Sequence, residues 1–368
     1  MKFKCSRDAL GHALDVVTHV IDSNVTLPVL NNILIRCEGK RVYFSATNLE
    51  MAVNYWMEAE VVNEGGVTVP AKLFSGYVNL LKDDQIECSV QDGLTLAMNS
   101  AGSKTKIKCI AAEEYPTISS IEEIVSFELE SEGLPESVSQ VSFAASSTNT
   151  RPVLAGVYFD VEGKTLTLVA TDSFRLSEKK IQLSQPVVQA MSAIVPTRAI
   201  QEFARLVSKE GVEKVRVVLG KNQVQFEIGN LELYSRLIEG NFPNYQQILP
   251  RSLKTTTSLY TNDQSLAVKR VNLFAKENNN KVLFDFQKDK LRISTPATQV
   301  GEEEGELPIA LDGDPGTIAL NSEFVLDILS HLGSEQVELG INDSKSPAAF
   351  KPVGKDDFVH IIMPLKLQ

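Results

Sequence analysis

The chain has 368 residues, 43% of them hydrophobic, and a formal net charge of −11. That length predicts two or three domains with cores of their own, and no run is long and apolar enough to cross a membrane. The acidic balance argues against a tightly gripped polyanion, because phosphate binding rests on Lys and Arg neutralising charge.

The start, Met1-Lys2-Phe3-Lys4-Cys5-Ser6, lacks the apolar stretch of a secretory signal, so a cytoplasmic location is expected. The first predicted element is a helix over 6–20. Glu38-Gly39-Lys40 then leads through Val42, Phe44 and Ala46 to Thr47-Asn48, a strand of period two. Val69-Pro70-Ala71-Lys72-Leu73-Phe74 opens a second helix, with Phe74, Tyr77, Val78 and Leu81 at i, i+3, i+4 and i+7. A strand over 106–110 follows, the unit finishes in a strand running into Tyr115-Pro116, and a polar linker over 116–123 is predicted.

The pattern then begins again. A helix is predicted over 135–145, and Glu162-Gly163-Lys164 leads through Leu166, Leu168 and Ala170 to Thr171-Asp172. Val195-Pro196-Thr197-Arg198-Ala199-Ile200 opens a helix with the stripe Ile200, Phe203, Ala204 and Val207, a strand over 215–219 follows, and the unit closes at Phe242-Pro243. After a linker over 243–257 comes a third round: a helix over 263–276, Phe284-Asp285 matching Phe159-Asp160, Leu291 matching Leu166, and Leu320-Asn321-Ser322-Glu323-Phe324-Val325. Its stripe is Val325, Ile328, Leu329 and Leu332, and its closing strand meets Met363-Pro364. The acidic run Gly301-Glu302-Glu303-Glu304-Gly305-Glu306 is expected to be a solvated hairpin loop.

The helix-opening segments are 126 residues apart from 69 to 195 and 125 apart from 195 to 320. A period that long marks repeated domains and excludes a solenoid. Each unit reads helix, strands, helix, strands. The predicted fold class is therefore α+β, three repeated domains of two helices packed on mostly antiparallel sheets, with boundaries at 1–120, 127–246 and 247–368.

No catalytic constellation is found. His12, His19, His331 and His360 have no metal-ligand spacing, and Gly220-Lys221 and Gly354-Lys355 lack the flanking residues of a phosphate-cradling loop. There is no G-x-G-x-x-G after a strand and no G-x-S-x-G elbow. Cys5, Cys37, Cys88 and Cys109 are far apart, which predicts buried free thiols and neither a zinc site nor a disulfide framework. No enzymatic activity, metal or cofactor is expected.

The repeat number suggests a mechanical role. Six helices closed on themselves at about 9 Å spacing leave no hole. Twelve give a circumference of about 108 Å and roughly 12 Å of clear radius, enough for a DNA duplex. A three-unit chain that encircled DNA would therefore do so as a two-fold dimer, closed head to tail.

Five segments carry a resemblance to a known family. Thr26-Leu27-Pro28-Val29-Leu30-Asn31-Asn32, Thr68-Val69-Pro70-Ala71, Ala170-Thr171-Asp172-Ser173-Phe174-Arg175-Leu176, Glu239-Gly240-Asn241-Phe242-Pro243-Asn244-Tyr245 and Met363-Pro364-Leu365-Lys366-Leu367 resemble, in order, the bacterial DNA polymerase III beta subunit, or sliding clamp. The resemblance implies a non-catalytic homodimeric ring around double-stranded DNA. A clamp-loader ATPase would open and close it, and replicative and repair DNA polymerases would be tethered to it through short linear peptide motifs. A topological hold needs little affinity for phosphate, which reconciles DNA with the acidic charge.

The resemblance also implies a partner-peptide pocket at Leu154, Thr171, Ser173, Phe174, Arg175, Leu176, Pro243, Gln247, Ile248, Ile361, Met363 and Leu365, an apolar hole with a few orienting polar groups. The helices implied to face DNA offer Lys72, Arg198, Arg205, Lys209, Lys269, Arg270 and Lys276, interleaved with Asp8, Asp15, Glu202, Glu323 and Asp327. Three positions depart from the family pattern: Phe174 replaces a frequent His or Tyr, Gln247 an Arg, and Asn24 an Arg that touches DNA.

Overall fold

The protein is described here from a computed structural model at residues 1–22, 27–82, 84–91, 93–118, 120–148, 150–296 and 301–367. Asn24 lies outside these residues. Six helices are described: α1 (Arg7–Thr18), α2 (Ala71–Leu80), α3 (Leu134–Ser142), α4 (Thr197–Glu210), α5 (Thr261–Ala275) and α6 (Ser322–His331). Every described pairing between strands is antiparallel. Among the described residues no helix is long and apolar enough to cross a membrane.

The helices begin where local chemistry allows. At α1 the Ser6 hydroxyl accepts a hydrogen bond from the Ala9 amide, and Asp8 sits in the first turn, where the helix dipole favours a negative charge. The Asn321 side chain caps α6 in the same manner, accepting from the Glu323 and Phe324 amides. Apolar spacing then decides which face turns inward: Leu10, Ala13, Leu14 and Val17 of α1, and Phe74 and Val78 of α2, are buried. Each large side chain so buried is worth about 1.5–3 kcal/mol relative to exposure. The three helices predicted at the repeat starts are observed within three residues of their expected ends.

By contact density the chain forms two compact units although its sequence repeats three times. One unit comprises Met1–Ser131 with Arg205–Leu237, the other Glu132–Ala204 with Ile238–Gln368. Strand pairing across repeat boundaries explains the division. In the first unit, Leu231–Arg236 of the middle repeat pairs with Met51–Glu58 of the first, extending an eight-stranded sheet. In the second, Phe358–Ile362 of the last repeat pairs with Arg175–Gln182 of the middle one, within a nine-stranded sheet. A five-stranded sheet completes the first unit and a four-stranded sheet the second. The core of the last repeat gathers Val268 and Val271 of α5, Ile328 of α6 and Phe284, Ile293 and Phe350 from both sheets.

Two expectations are corrected. The acidic run is no loop from Glu304 onward: Glu304–Pro308 is an edge strand paired with Lys290–Ser294. Alternation puts Glu306 opposite Arg292, and Lys290 reaches the Glu306 carboxylate at 2.6 Å, so opposite charges across the ladder stabilise it. Nor do the first two units end in strands that reach proline, since Ser103–Lys108 and Leu231–Arg236 both stop short of Tyr115 and Phe242. The intervening residues turn these aromatics down onto a sheet, and the Tyr115 hydroxyl donates to the Asn32 carbonyl and accepts from the Thr47 amide. Cys5, Cys37 and Cys88 are buried free thiols, pushed up by burial, Cys5 to about 12 and Cys37 to about 11.

The cross-repeat pairing builds one corner twice. In the second unit the Thr171 hydroxyl donates to the Arg175 carbonyl and accepts from the Ser173 amide, while Asp172 Oδ1 accepts from the amides of Phe174 and Arg175. In the first unit Thr47 does the same with the Met51 carbonyl and Leu49 amide, and Asn48 Oδ1 accepts from Glu50 and Met51. Ser173 (φ 82°) and Leu49 (φ 74°) share the left-handed conformation, unfavourable by about 1–2 kcal/mol, which the surrounding bonds hold in place. The Met363 amide donates to the Phe174 carbonyl in one corner and the Arg236 amide to the Glu50 carbonyl in the other.

Candidate functional site

The corner at Thr171 lies at the end of strand Thr165–Thr171, and the chain turns there into Arg175–Gln182. Register puts Leu176 opposite Ile361, and both are buried in one apolar cluster with Val169, Tyr245 and Ala349. Phe174, by contrast, is 63% exposed at the tip of the turn, and Ile248 is 41% exposed one turn after Tyr245, whose carbonyl accepts from the Ile248 amide at 3.0 Å. The bond from the Met363 amide to the Phe174 carbonyl ties half-buried Met363 to the same turn. Leu365, also half-buried, is fixed through its amide to the Ala319 carbonyl. Leu154 is buried at the end of a short turn, Thr171 is buried, and Ser173, Pro243 and Gln247 are exposed.

Several of the expected pocket residues thus sit around one turn: Thr171, Ser173, Phe174 and Arg175 form it, Leu176 and Ile361 floor the adjoining sheet, and Met363 is tied to its tip. Leu154 and Leu365 are anchored to other segments, by a bond from the Ser146 amide to the Leu154 carbonyl and by Ala319 respectively. Arg175 takes an unexpected position. Its side chain is only 11% exposed, with Nε on Asp172 at 3.0 Å, one terminal nitrogen on Asp327 and the other on the Phe143 carbonyl at 3.2 Å. The guanidinium also lies 4.5 Å from the centre of the Phe324 ring. Three of its five N–H donors are thus engaged within the protein, one on each nitrogen, so it braces the corner.

Two features were not anticipated from the sequence. Tyr245 packs its ring against Tyr158 and Phe242, and burial, with the Glu178 carboxylate next, pushes its phenol pKa upward. Reading across the ladder from Leu176 to Val169 by same-face alternation could have found the floor of the cluster. Beneath the corner, on the opposite face of the sheet, Ser177 and His360 are fully buried and hydrogen-bonded at 2.7 Å between Oγ and Nδ1. Burial, with Arg175 and His331 nearby, holds the imidazole pKa well below its usual value. The ring stacks on Phe143, and its Nε2 has no hydrogen-bond partner.

The basic residues on the helices divide by partner. Arg205 and Lys209 on α4 both reach Asp15 of α1, and burial lowers the Lys209 ammonium pKa. Arg270 on α5 pairs with Glu303 at 3.6 Å. Lys72, Lys269 and Lys276 are exposed and make no ion pair among the described residues, and Arg198 is exposed. On the outward face of α5, Leu266 and Leu273 are exposed beside Lys269 and Arg270. Among the described residues no group of three or more His, Cys, Asp or Glu side chains is placed to hold a metal ion.

Comparison with known proteins gives the same answer along the whole chain. Family models described as the N-terminal, central and C-terminal domains of the DNA polymerase III beta subunit match residues 1–119, 128–244 and 246–366. The chain is 30% identical to the beta sliding clamp of Chlamydia muridarum, over 100% of this chain and 99% of that protein. It superposes on the DNA polymerase III subunit beta of Pseudomonas aeruginosa with a TM-score of 0.95 at 28% identity, covering 100% of both chains. The same TM-score of 0.95, at 25% identity and again over 100% of both chains, relates it to the DNA polymerase sliding clamp of Bacillus subtilis. With three consecutive domains of one family spanning almost its full length, the chain belongs to the DNA polymerase III beta subunit family.

Proposed function

We propose that the chain is a DNA sliding clamp: two copies close head to tail into a ring around duplex DNA and hold DNA polymerases there during replication, without catalysis. The observation that carries this reading is the succession of three beta subunit domains over the whole chain. The electrostatics support a hold by enclosure. Net charge is −11, and of the seven basic helix residues singled out from the sequence, Arg205, Lys209 and Arg270 are already bound to carboxylates. Lys72, Lys269 and Lys276 would supply the remaining weak attraction, compatible with a duplex that slides. We assign the domains to 1–120, 127–246 and 247–368 and the location to the cytoplasm.

Ring closure has a candidate seam. Ser103–Lys108 ends the five-stranded sheet and presents Lys104, Lys106 and Lys108 to solvent, while Glu304–Pro308 ends the four-stranded sheet with Glu304 and Glu306 outward. Edge strands of opposite charge on two copies are suited to pair by backbone hydrogen bonds. Partners enter through short peptides whose leucine and aromatic anchors cover Phe174, Ile248 and Met363 above the Leu176–Ile361 floor, and a clamp-loader ATPase opens and closes the ring. Retention on nicked circular DNA, lost on linearisation, together with dimer mass by light scattering, tests the reading. A monomer unaffected by linearisation would make the chain a scaffold that encircles nothing. Lys104→Glu with Lys106→Glu should shift the mass to monomer.

A further inference from the structure

The corner assigned to partners has a twin in the first unit, and we propose that the twin is a second peptide site, taking an extended segment rich in carboxylates. The inference rests on reading the Thr171 corner as a partner site. Backbone geometry supports the equivalence bond for bond: the threonine and Asx hydrogen bonds, the left-handed third residue and the incoming amide all recur at Thr47, Asn48, Leu49 and Arg236. The twin is also open. A groove of about 130 Å³ runs past Leu49, Met51, Pro116 and Arg236, and one of about 370 Å³ past Arg36, Arg41, Tyr43 and Trp56, with the segment 116–118 lining both.

Side chains make the twin chemically different. Register puts Ala52 opposite Tyr234 where the partner corner has Leu176 opposite Ile361, and Arg236 stands where Met363 does. The floor is shallower and carries a hydroxyl, so a large apolar anchor has less to fill. Arg36, Arg41 and Arg236 make no ion pair among the described residues, and the Arg41 guanidinium lies 3.9 Å from the centre of the Trp56 ring. Of the carboxylates in the same grooves, Glu232 is taken by the Asn54 amide and the Tyr234 hydroxyl, while Glu38 and Glu50 are exposed. Three guanidiniums with open forks favour carboxylates, which they bind with two parallel hydrogen bonds.

The chain's one tryptophan reports on this groove alone. The dimeric protein is titrated with an octapeptide of alternating aspartate and leucine while Trp56 fluorescence is followed, beside a lysine–leucine octapeptide and an oligothymidylate. We expect a saturable change with the acidic peptide, weakened at least about tenfold, or about 1.4 kcal/mol, by Arg36→Glu and by Arg236→Glu, and unaltered by Met363→Asp. Both arginines are exposed, so these variants keep the fold. No saturable change, an equal response to the lysine peptide, or a response to the oligonucleotide alone overturns the proposal, as does loss of the signal in Met363→Asp. Anisotropy of a labelled polymerase-derived peptide, measured in the same Met363→Asp protein, reports separately on the partner corner, so failure of either reading is seen independently.

Discussion

The two corners differ in what lies on either side of an identical turn. Below the strand pair in the second unit, Ser177 faces His360, and the same ladder position in the first unit pairs Val53 with Leu233, both fully buried. Above it, the second unit offers Phe174, Ile248 and Met363 over an apolar floor, and the first offers Glu50, Arg236 and a tyrosine. The repeat conserves the groups that fix the backbone, a threonine and an Asp or Asn, and frees the rest. Scaffold and specificity are therefore carried by different residues, a few ångströms apart.

The largest effect that could break this comparison is a charge in the partner corner. Met363→Asp should weaken binding of a polymerase-derived peptide by about 2 kcal/mol or more, roughly thirtyfold, because a carboxylate desolvated against apolar side chains has no partner. Arg236→Glu at the equivalent position should leave that peptide unaffected, and calorimetry on both variants decides it. Leu176→Asp is a poorer probe: Leu176 is fully buried, and a carboxylate there would destabilise the sheet before any peptide is tested. Unchanged affinity in Met363→Asp would remove the pocket assignment.

A smaller effect sharpens the shared part. Asp172 accepts two backbone amides and the Arg175 Nε, whereas Asn48 accepts two backbone amides and donates to the Asp22 carboxylate at 2.9 Å. Asp172→Asn keeps the two amide bonds and gives up the charged contact to Arg175, so it should lower stability by about 1.5 kcal/mol, measured by urea unfolding. Unchanged stability in Asp172→Asn would mean that the Arg175 brace contributes nothing to the corner.

The legible and illegible parts of the molecule divide along physical lines. Helix stripes, period-two strands and helix caps are local, so the repeat and both helices of each unit could be read from spacing alone. Pairing of Leu231–Arg236 with Met51–Glu58 is not local: nothing in either strand names its partner, and so two compact units could not be foreseen from three repeats. The edge strand at Glu304 was hidden because four glutamates look solvated until the facing Lys290 and Arg292 are known. Arg175 reads as a ligand-facing cation in sequence, and only the fold brings Asp327 and Phe143 to it.

The last test concerns acidity. Because the folded protein holds His360 neutral well below its ordinary pKa of about 6.5, the unfolded chain binds the extra proton first. Stability should therefore be full above pH about 6.5 and fall as pH drops below it, by at most about 1.4 kcal/mol per pH unit, until the buried imidazole itself titrates. Between pH 5 and 6.5 most carboxylates remain ionised, and the double variant below separates His360 from the chain's three other histidines. Hydrogen exchange should show strand Phe358–Ile362 loosening over that range, while strand Leu231–Arg236, whose seam is Val53 against Leu233, does not. Copying the first seam into the second, with Ser177→Val and His360→Leu together, should remove the dependence and leave the corner intact, since neither side chain bonds to the turn. If the loosening persists in that double variant, its source is another group and the seam is not the acid-sensitive element.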